Sequence, residues 1–444
     1  MKSYTLRSFW LSLVFAFCLV GGTVYGQNVE STQGIYLGKT QPLRDLVDQT
    51  TLDTDHATRT KAKNFKRTER YNFEGNIAMP NNAAATAQPQ NGDPLAPLSK
   101  TLTSANLIEP DIVIDGINEA EAAGVIPPDV NGDVSPDYYF ATTNGGNNSV
   151  IKVYDKELNL LFGPVNSGII WDQINESTIG DPIILWDETA NRWMFAEINI
   201  DFGSMLIAVS ETEDPTGAWF AYKFNTPMLP DYPKFGIWND AIYFTTNEFD
   251  DHVPVYILDK NAMFNGENDI SLIRLDGILK FNATNAFQVL TPADIDGPAP
   301  PAGSPMYVIR IYDDAWNGGE DGLEVWSISP DFDTPTNTVL DGPNFIPLAA
   351  FDSDVCNGDI FNCVAQGDGT LVSALQQVIM WRVPYRSFGS HETILLNFTV
   401  DVNGSNLAGV RWVELRKENG EDWSLFQEGT HAPDNLNRFM GSIA

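Results

Sequence analysis

Basic residues are scarce in this 444-residue chain: 26 Lys and Arg stand against 59 Asp and Glu, for a formal charge of −33. A surface for nucleic acid or an anionic membrane needs clustered Lys and Arg to displace counterions, so neither is an expected partner. Cysteine is rarer still, at three, with only four histidines. No Cys/His set has the spacing of a zinc site, and no G-x-S-x-G elbow, His-Glu-x-x-His helix or phosphate-cradling glycine loop appears. Beyond residue 26 no apolar run approaches the length of a membrane span. What is abundant is the material of a globular core: 43% hydrophobic and 11% aromatic residues, with 35 Gly and 27 Pro to make turns. That composition excludes a disordered chain, and the length suits two or three domains or one large repeat-built domain.

The ends and the charge distribution locate the segments. Residues 1–26 carry Lys2 and Arg7, no acid, an apolar run from Phe9 to Val20 and small residues at Gly21, Gly22 and Gly26. This pattern predicts a secretory signal peptide cleaved after Gly26, and hence a secreted or cell-surface protein. Bulky Phe17 before Cys18 argues against lipidation. Cleavage leaves 24 basic and 59 acidic residues, a charge of −35. It also leaves Cys356 and Cys363 in DSDVCNGDIFNCVAQGDGT, where an exported chain is expected to close a short disulfide loop; two thiols alone give half a metal shell. Residues 27–70 are net +2 and include the basic stretch Arg59 to Arg70, read as a solvated helix or tail, or as an arm docking on acid. Residues 71–444 are net −37. Pro80 to Lys100, rich in Ala, Pro, Asn and Gln, reads as a linker. The expected division is therefore signal peptide 1–26, arm and linker 27–110, and a folded body 111–444.

The body is predicted to be nearly all β. Short β-branched and aromatic runs such as YYFATTN, PIILWDE, SMLIAVS, AIYFTTN, PVYILDK and LEVWSIS alternate with Asp, Asn, Gly and Pro turns, and no long amphipathic helix interrupts them. Asp187 precedes Trp193, Asp214 precedes Trp219 and Glu418 precedes Trp423 by five or six residues. Each acid is placed to cap a turn while the Trp packs between sheets. TEDPTGAW and KENGEDW thus resemble degenerate Asp boxes of sialidase-type propellers. Repeat starts near Pro128, Asp181, Asp231, Leu290, Val364 and Arg438 have the spacing of long propeller blades. They predict about six blades with the last incomplete, because the chain stops after RFMGSIA. A pair of β-sandwiches is the alternative architecture.

In this order, IPPDVNGDVSPDYYFATTN, GDPIILWDETANRWMFAE, DYPKFGIWNDAIYFTTNEF, YDDAWNGGEDGLEVWSIS, VPYRSFGSHETILLNFTVD and AGVRWVELRKENGEDWSLFQEGTHAPDNLNRFMGSIA resemble a family of secreted bacterial β-propeller-like proteins, mostly uncharacterised. The resemblance covers residues 112–444. It implies a propeller missing part of its final blade, and it brings no catalytic residues.

Candidate sites follow from residue type. Asp231, Tyr232 and Lys234 open one strand, and with His391 they are the expected binding groups at a channel mouth. Asp129, Asn131 and Asp133 place oxygens at alternate positions, as a calcium loop begins, but Val134 stands where the turn Gly belongs. Asp313, Asp314, Glu320 and Asp321 put four carboxylates in nine residues, a second place for Ca2+, the one cofactor considered. The expected function is an extracellular binding module, monomeric, for glycan or protein, without catalysis of its own. The alternative is a glycoside hydrolase of sialidase-like or other propeller type, which in its sialidase form requires three converging arginines.

Overall fold

The computed structural model describes residues 28–46, 92–99, 111–146, 148–248, 251–281, 288–356, 364–367, 369–418 and 420–444. Residues 1–27, and with them the expected signal peptide, lie outside these, as do the basic stretch 59–70 and Cys363. Among the described residues no helix is long and apolar enough to cross a membrane.

The fold is an all-β propeller. Strand β1 (Val29–Lys39) is followed by five four-stranded antiparallel meanders, the blades. The first contains β2 (Asn131–Val134), β3 (Tyr139–Asn144), β4 (Ser149–Tyr154) and β5 (Leu160–Asn166). The second contains β6 (Thr178–Asp187), β7 (Arg192–Asn199), β8 (Ser204–Ser210) and β9 (Trp219–Asn225); the third β10 (Asp231–Ile237), β11 (Ala241–Asn247), β12 (His252–Asp259) and β13 (Asp269–Leu279). The fourth runs through β14 (Thr291–Ile295), β15 (Met306–Tyr312), β16 (Gly322–Ser329) and β17 (Val339–Pro347). A small hairpin, β18 (Val364–Ala365) and β19 (Leu371–Val372), precedes the fifth: β20 (Val383–Ser387), β21 (His391–Asp401), β22 (Ala408–Glu418) and β23 (Ser424–His431).

Among the described residues five four-stranded blades are formed, where about six with the last incomplete were expected. The first four repeat starts fall at or near the innermost strands β2, β6, β10 and β14. Val364 instead opens the inserted hairpin, and Arg438 follows the finished fifth blade, its N–H bonded back to Ala408 O at 2.9 Å. Turn-rich insertions mimic blade boundaries, which is why spacing overcounted. The Asp-box expectation holds in part. Asp187 Oδ1 accepts Thr189 and Ala190 N–H at 2.8 and 3.0 Å, and Asp214 Oδ1 accepts Thr216 N–H at 2.8 Å, with Trp193 and Trp219 fully buried. At Glu418 the backbone carbonyl holds the turn. Asp187 lies in a first hairpin and Asp214 in a third, so the two are not equivalent repeats.

The core fills the spaces between blades, and strand periodicity explains how. Trp193 and Phe195 of β7 pack with Phe140 and Ile151 of the first blade, while Met194, Ala196 and Ile198 pack with Phe235 and Phe244 of the third. Glu197, on the first of these faces, is buried among Ser149, Ser167 and Trp171, all donating to its carboxylate. Burial pushes its carboxyl up, against those donors.

Two pieces of the expected arm and linker belong to the body. Strand β1 pairs with β13 and with β9, joining the outer edges of the second and third blades into one nine-stranded sheet. Both edges lose their unpaired backbone groups by this. In the linker, Asp93 is buried against Arg411 of β22 (2.8 Å) and accepts Thr430 Oγ1 (2.7 Å). Asp93→Ala is expected to cost about 3 kcal/mol, because it strips a partner from a fully buried guanidinium; urea unfolding measures it, and an unchanged midpoint contradicts the anchoring.

Candidate functional site at the upper mouth

The innermost strands neighbour one another in the order β2, β6, β10, β14, β20, and β14 pairs with β20 in parallel. All five therefore start on one face, here the upper, and end on the other. At the upper ends of the first three blades stands one carboxylate each: Asp129 just before β2, Asp181 near the start of β6 and Asp231 opening β10. The backbone there is irregular. Asp129, Asp181 and Tyr232 have φ of 42°, 56° and 51°, and both β6 and β10 break register at these positions. Left-handed backbone at non-glycine residues is unfavourable and clusters at functional sites.

Asn144, at the end of β3, holds two of these residues together. Its side-chain N–H donates to Asp129 Oδ2 and to Pro127 O (3.0 Å), and its oxygen accepts Asp181 N–H at 2.8 Å. Lys234 is buried with its Nζ 3.5 Å from the centre of the Tyr232 ring. Burial lowers its pKa to about 7, against the opposing fields of Asp129 and Asp181. Burial, then Asp129 and Asp231, raises the Tyr232 phenol well above its ordinary range. One lysine and one tyrosine thus sense all three carboxylates.

A second charged set lies deeper toward the lower face. Arg382, preceding β20, approaches Asp133 of β2 at 2.8 Å and Asp294 of β14 at 3.5 Å. Asp133 also accepts Trp186 N–H of β6, and Asp294 accepts Ile237 N–H of β10, each at 2.8 Å. Glu188, in the β6–β7 turn, is pushed up to about 9 by burial and then by Asp294; Asp294 is pushed up to about 8 by burial, partly opposed by Arg382. Arg382, Asp133 and Asp294 are spent on joining blades.

No family model and no curated protein matches the chain. Solved structures similar in fold include the exo-beta-1,3-galactanase 1,3Gal43A of Clostridium thermocellum, at 12% identity and TM-score 0.33, over 67% of this chain and 60% of that one. A thermostable family-43 glycoside hydrolase is similar at 12% identity and TM-score 0.37, covering 70% and 96%. An exo-1,5-alpha-L-arabinanase from a bovine ruminal metagenomic library is similar at 11% and 0.31, covering 68% and 96%. The expected binding module without catalysis is corrected toward its alternative by the site itself, since the upper mouth brings together carboxylates from three successive blades; the similar structures bear on the fold. The resemblance to uncharacterised secreted propellers holds at the level of fold.

Of the expected mouth residues, Asp231, Tyr232 and Lys234 come together. His391 does not: it sits in the β20–β21 hairpin at the lower face, stacked on Phe388 with ring centres 5.0 Å apart. Asp129, Asn131 and Asp133 do not converge on one point. They are strung along an extended strand, with Asp129 on Asn144, Asn131 accepting Ile184 N–H at 2.9 Å and Asp133 on Trp186 and Arg382. Asp313, Asp314 and Asp321 do converge, and exposed Glu320 stands apart. Cys356 is buried with Val355, Val364, Ala374 and Ala408. Arg274, Arg310 and Arg411 are buried and bound to Glu248, Glu324 and Asp93 in three different blades, so these three do not converge as a sialidase-type triad would require.

Two substitutions separate the sets by pH. Lys234 holds its proton less tightly folded than unfolded, so stability rises with pH from about 7 to about 10.4. Lys234→Met should therefore exceed wild type in melting temperature at pH 7 and below, with the difference closing toward pH 10. Glu188 holds its proton more tightly folded, so stability falls from about pH 4.3 to 9. Glu188→Gln should match wild type at pH 4 and exceed it increasingly up to pH 9; parallel pH profiles would contradict both assignments.

Proposed function

We propose that the chain is a glycoside hydrolase on a propeller scaffold, with its acid–base chemistry carried by Asp129, Asp181 and Asp231. The observation supporting this is the geometry of the three strand openings: Asn144 bonds both Asp129 and Asp181, and Lys234 stands 3.5 Å from the centre of the Tyr232 ring next to Asp231. Cleaving a glycosidic bond needs one carboxyl to protonate the leaving oxygen and a second to activate water or attack the sugar carbon. Lys234, whose pKa burial lowers to about 7, exchanges its proton near neutrality beside them, and the Tyr232 hydroxyl, raised by burial, stays protonated as a donor.

Export through the 1–26 signal, a glycan substrate outside the cell, a monomeric chain and a Cys356–Cys363 disulfide belong to the same proposal. On aryl glycosides, galactan and arabinan, the purified protein is expected to release sugar. Asp181→Asn and Asp231→Asn should each lower kcat by about 10²–10⁴-fold with the melting temperature held. Absence of hydrolysis across the panel, or full activity in both variants, would overturn the reading.

A further inference from the structure

We infer that Asp313, Asp314 and Asp321 bind a hard divalent cation of the calcium type, fastening the β15–β16 loop to the segment that follows β17. One carboxylate oxygen from each lies within 4.8 Å of the others, and all three residues are at least 96% buried. A second observation points to a ligand. Asp314 Oδ1 is buried and accepts no hydrogen bond, a costly state for a carboxylate oxygen unless a cation faces it.

The other two carboxylates are already oriented by the backbone. Asp313 accepts Ala315 N–H at 2.8 Å through one oxygen, and Ser353 N–H and Oγ–H at 2.9 and 2.6 Å through the other. Asp321 accepts Asp314 N–H at 2.8 Å and Phe351 N–H at 2.7 Å. Each oxygen of Asp321, and Oδ1 of Asp313, keeps a lone pair beyond the bond it makes. The N–H donors thus aim the carboxylates without saturating them. Among the described residues no Lys or Arg forms an ion pair with these three or with Asp352, whose carboxyl feels Asp313. A set of oxygens with no imidazole or thiolate selects Ca2+ or Mg2+ over zinc, and the remaining positions go to water. By topology the loop lies on the upper face, and this site stands independently of the hydrolase reading.

Calorimetric titration of the full chain with CaCl2 is expected to show one site, with a dissociation constant on the order of 10⁻⁴–10⁻³ M, the range of extracellular modules. EDTA should lower the melting temperature. Asp314→Asn, neutral and isosteric, should abolish the binding and the EDTA effect while folding at least as stably without metal. Tb3+ bound in place of calcium should emit when excited through tryptophan, and Trp316→Phe should reduce that emission. No calcium binding by the wild type, unchanged binding in Asp314→Asn, or emission indifferent to Trp316 would each overturn the inference; should Asp314→Asn not fold, the terbium measurement decides alone.

Discussion

Arg382 is where the ring meets itself. Its guanidinium is held between Asp133 of the first blade and Asp294 of the fourth, while its own chain leads into the fifth. Both carboxylates also take a backbone N–H from a neighbouring blade, Trp186 in one case and Ile237 in the other. Five blades are thus fixed in height and rotation by one cation and its two acids. Apolar packing between the blades supplies most of the stabilisation, but it is non-directional. The charged clamp is directional, so it sets the register of the blades whether or not it adds net stability.

The upper mouth depends on that fixed register. Asp129, Asp181 and Tyr232 adopt backbone conformations that cost of order 1–3 kcal/mol each. They persist because the strands below them are locked: Asn131 to β6, Asp133 to β6 and Arg382, Asn144 to both Asp129 and Asp181. The same Asx side chains that make turn chemistry elsewhere here link strands of adjacent blades. Rigid β scaffolding at the base and strained strand ends at the rim are the arrangement by which a propeller holds polar groups in one place without closing over them.

How much of this was legible in the sequence depended on range. Strands, turns, the propeller class and the Asp231–Lys234 grouping follow from local alternation and from residues close in the chain. Asp181 was visible as a repeat start but went unread as a site residue; the available signal was an Asp at the opening of three successive repeats, Asp129, Asp181 and Asp231. Arg382, Asp294 and Glu188 carry no local signature, because their interactions span different blades, the Arg382–Asp294 pair alone 88 residues apart. His391 misled because ordinary hairpin chemistry places a His beside Ser and Glu as readily as a catalytic site does. Strand β1 and Asp93 were assigned to arm and linker because a strand borrowed by two other blades, or one buried aspartate in a polar stretch, leaves no periodic pattern.

The three carboxylates at the starts of β2, β6 and β10 are proposed as the working mouth, above the charged set around Arg382 that links the blades. A crystal structure of the Asp181→Asn protein soaked with an oligosaccharide tests that assignment directly. A sugar is expected between Asp129, residue 181 and Asp231, within reach of Tyr232 and Lys234. A sugar bound instead at the lower face beside Glu188 and His391, with the upper mouth empty, would contradict it.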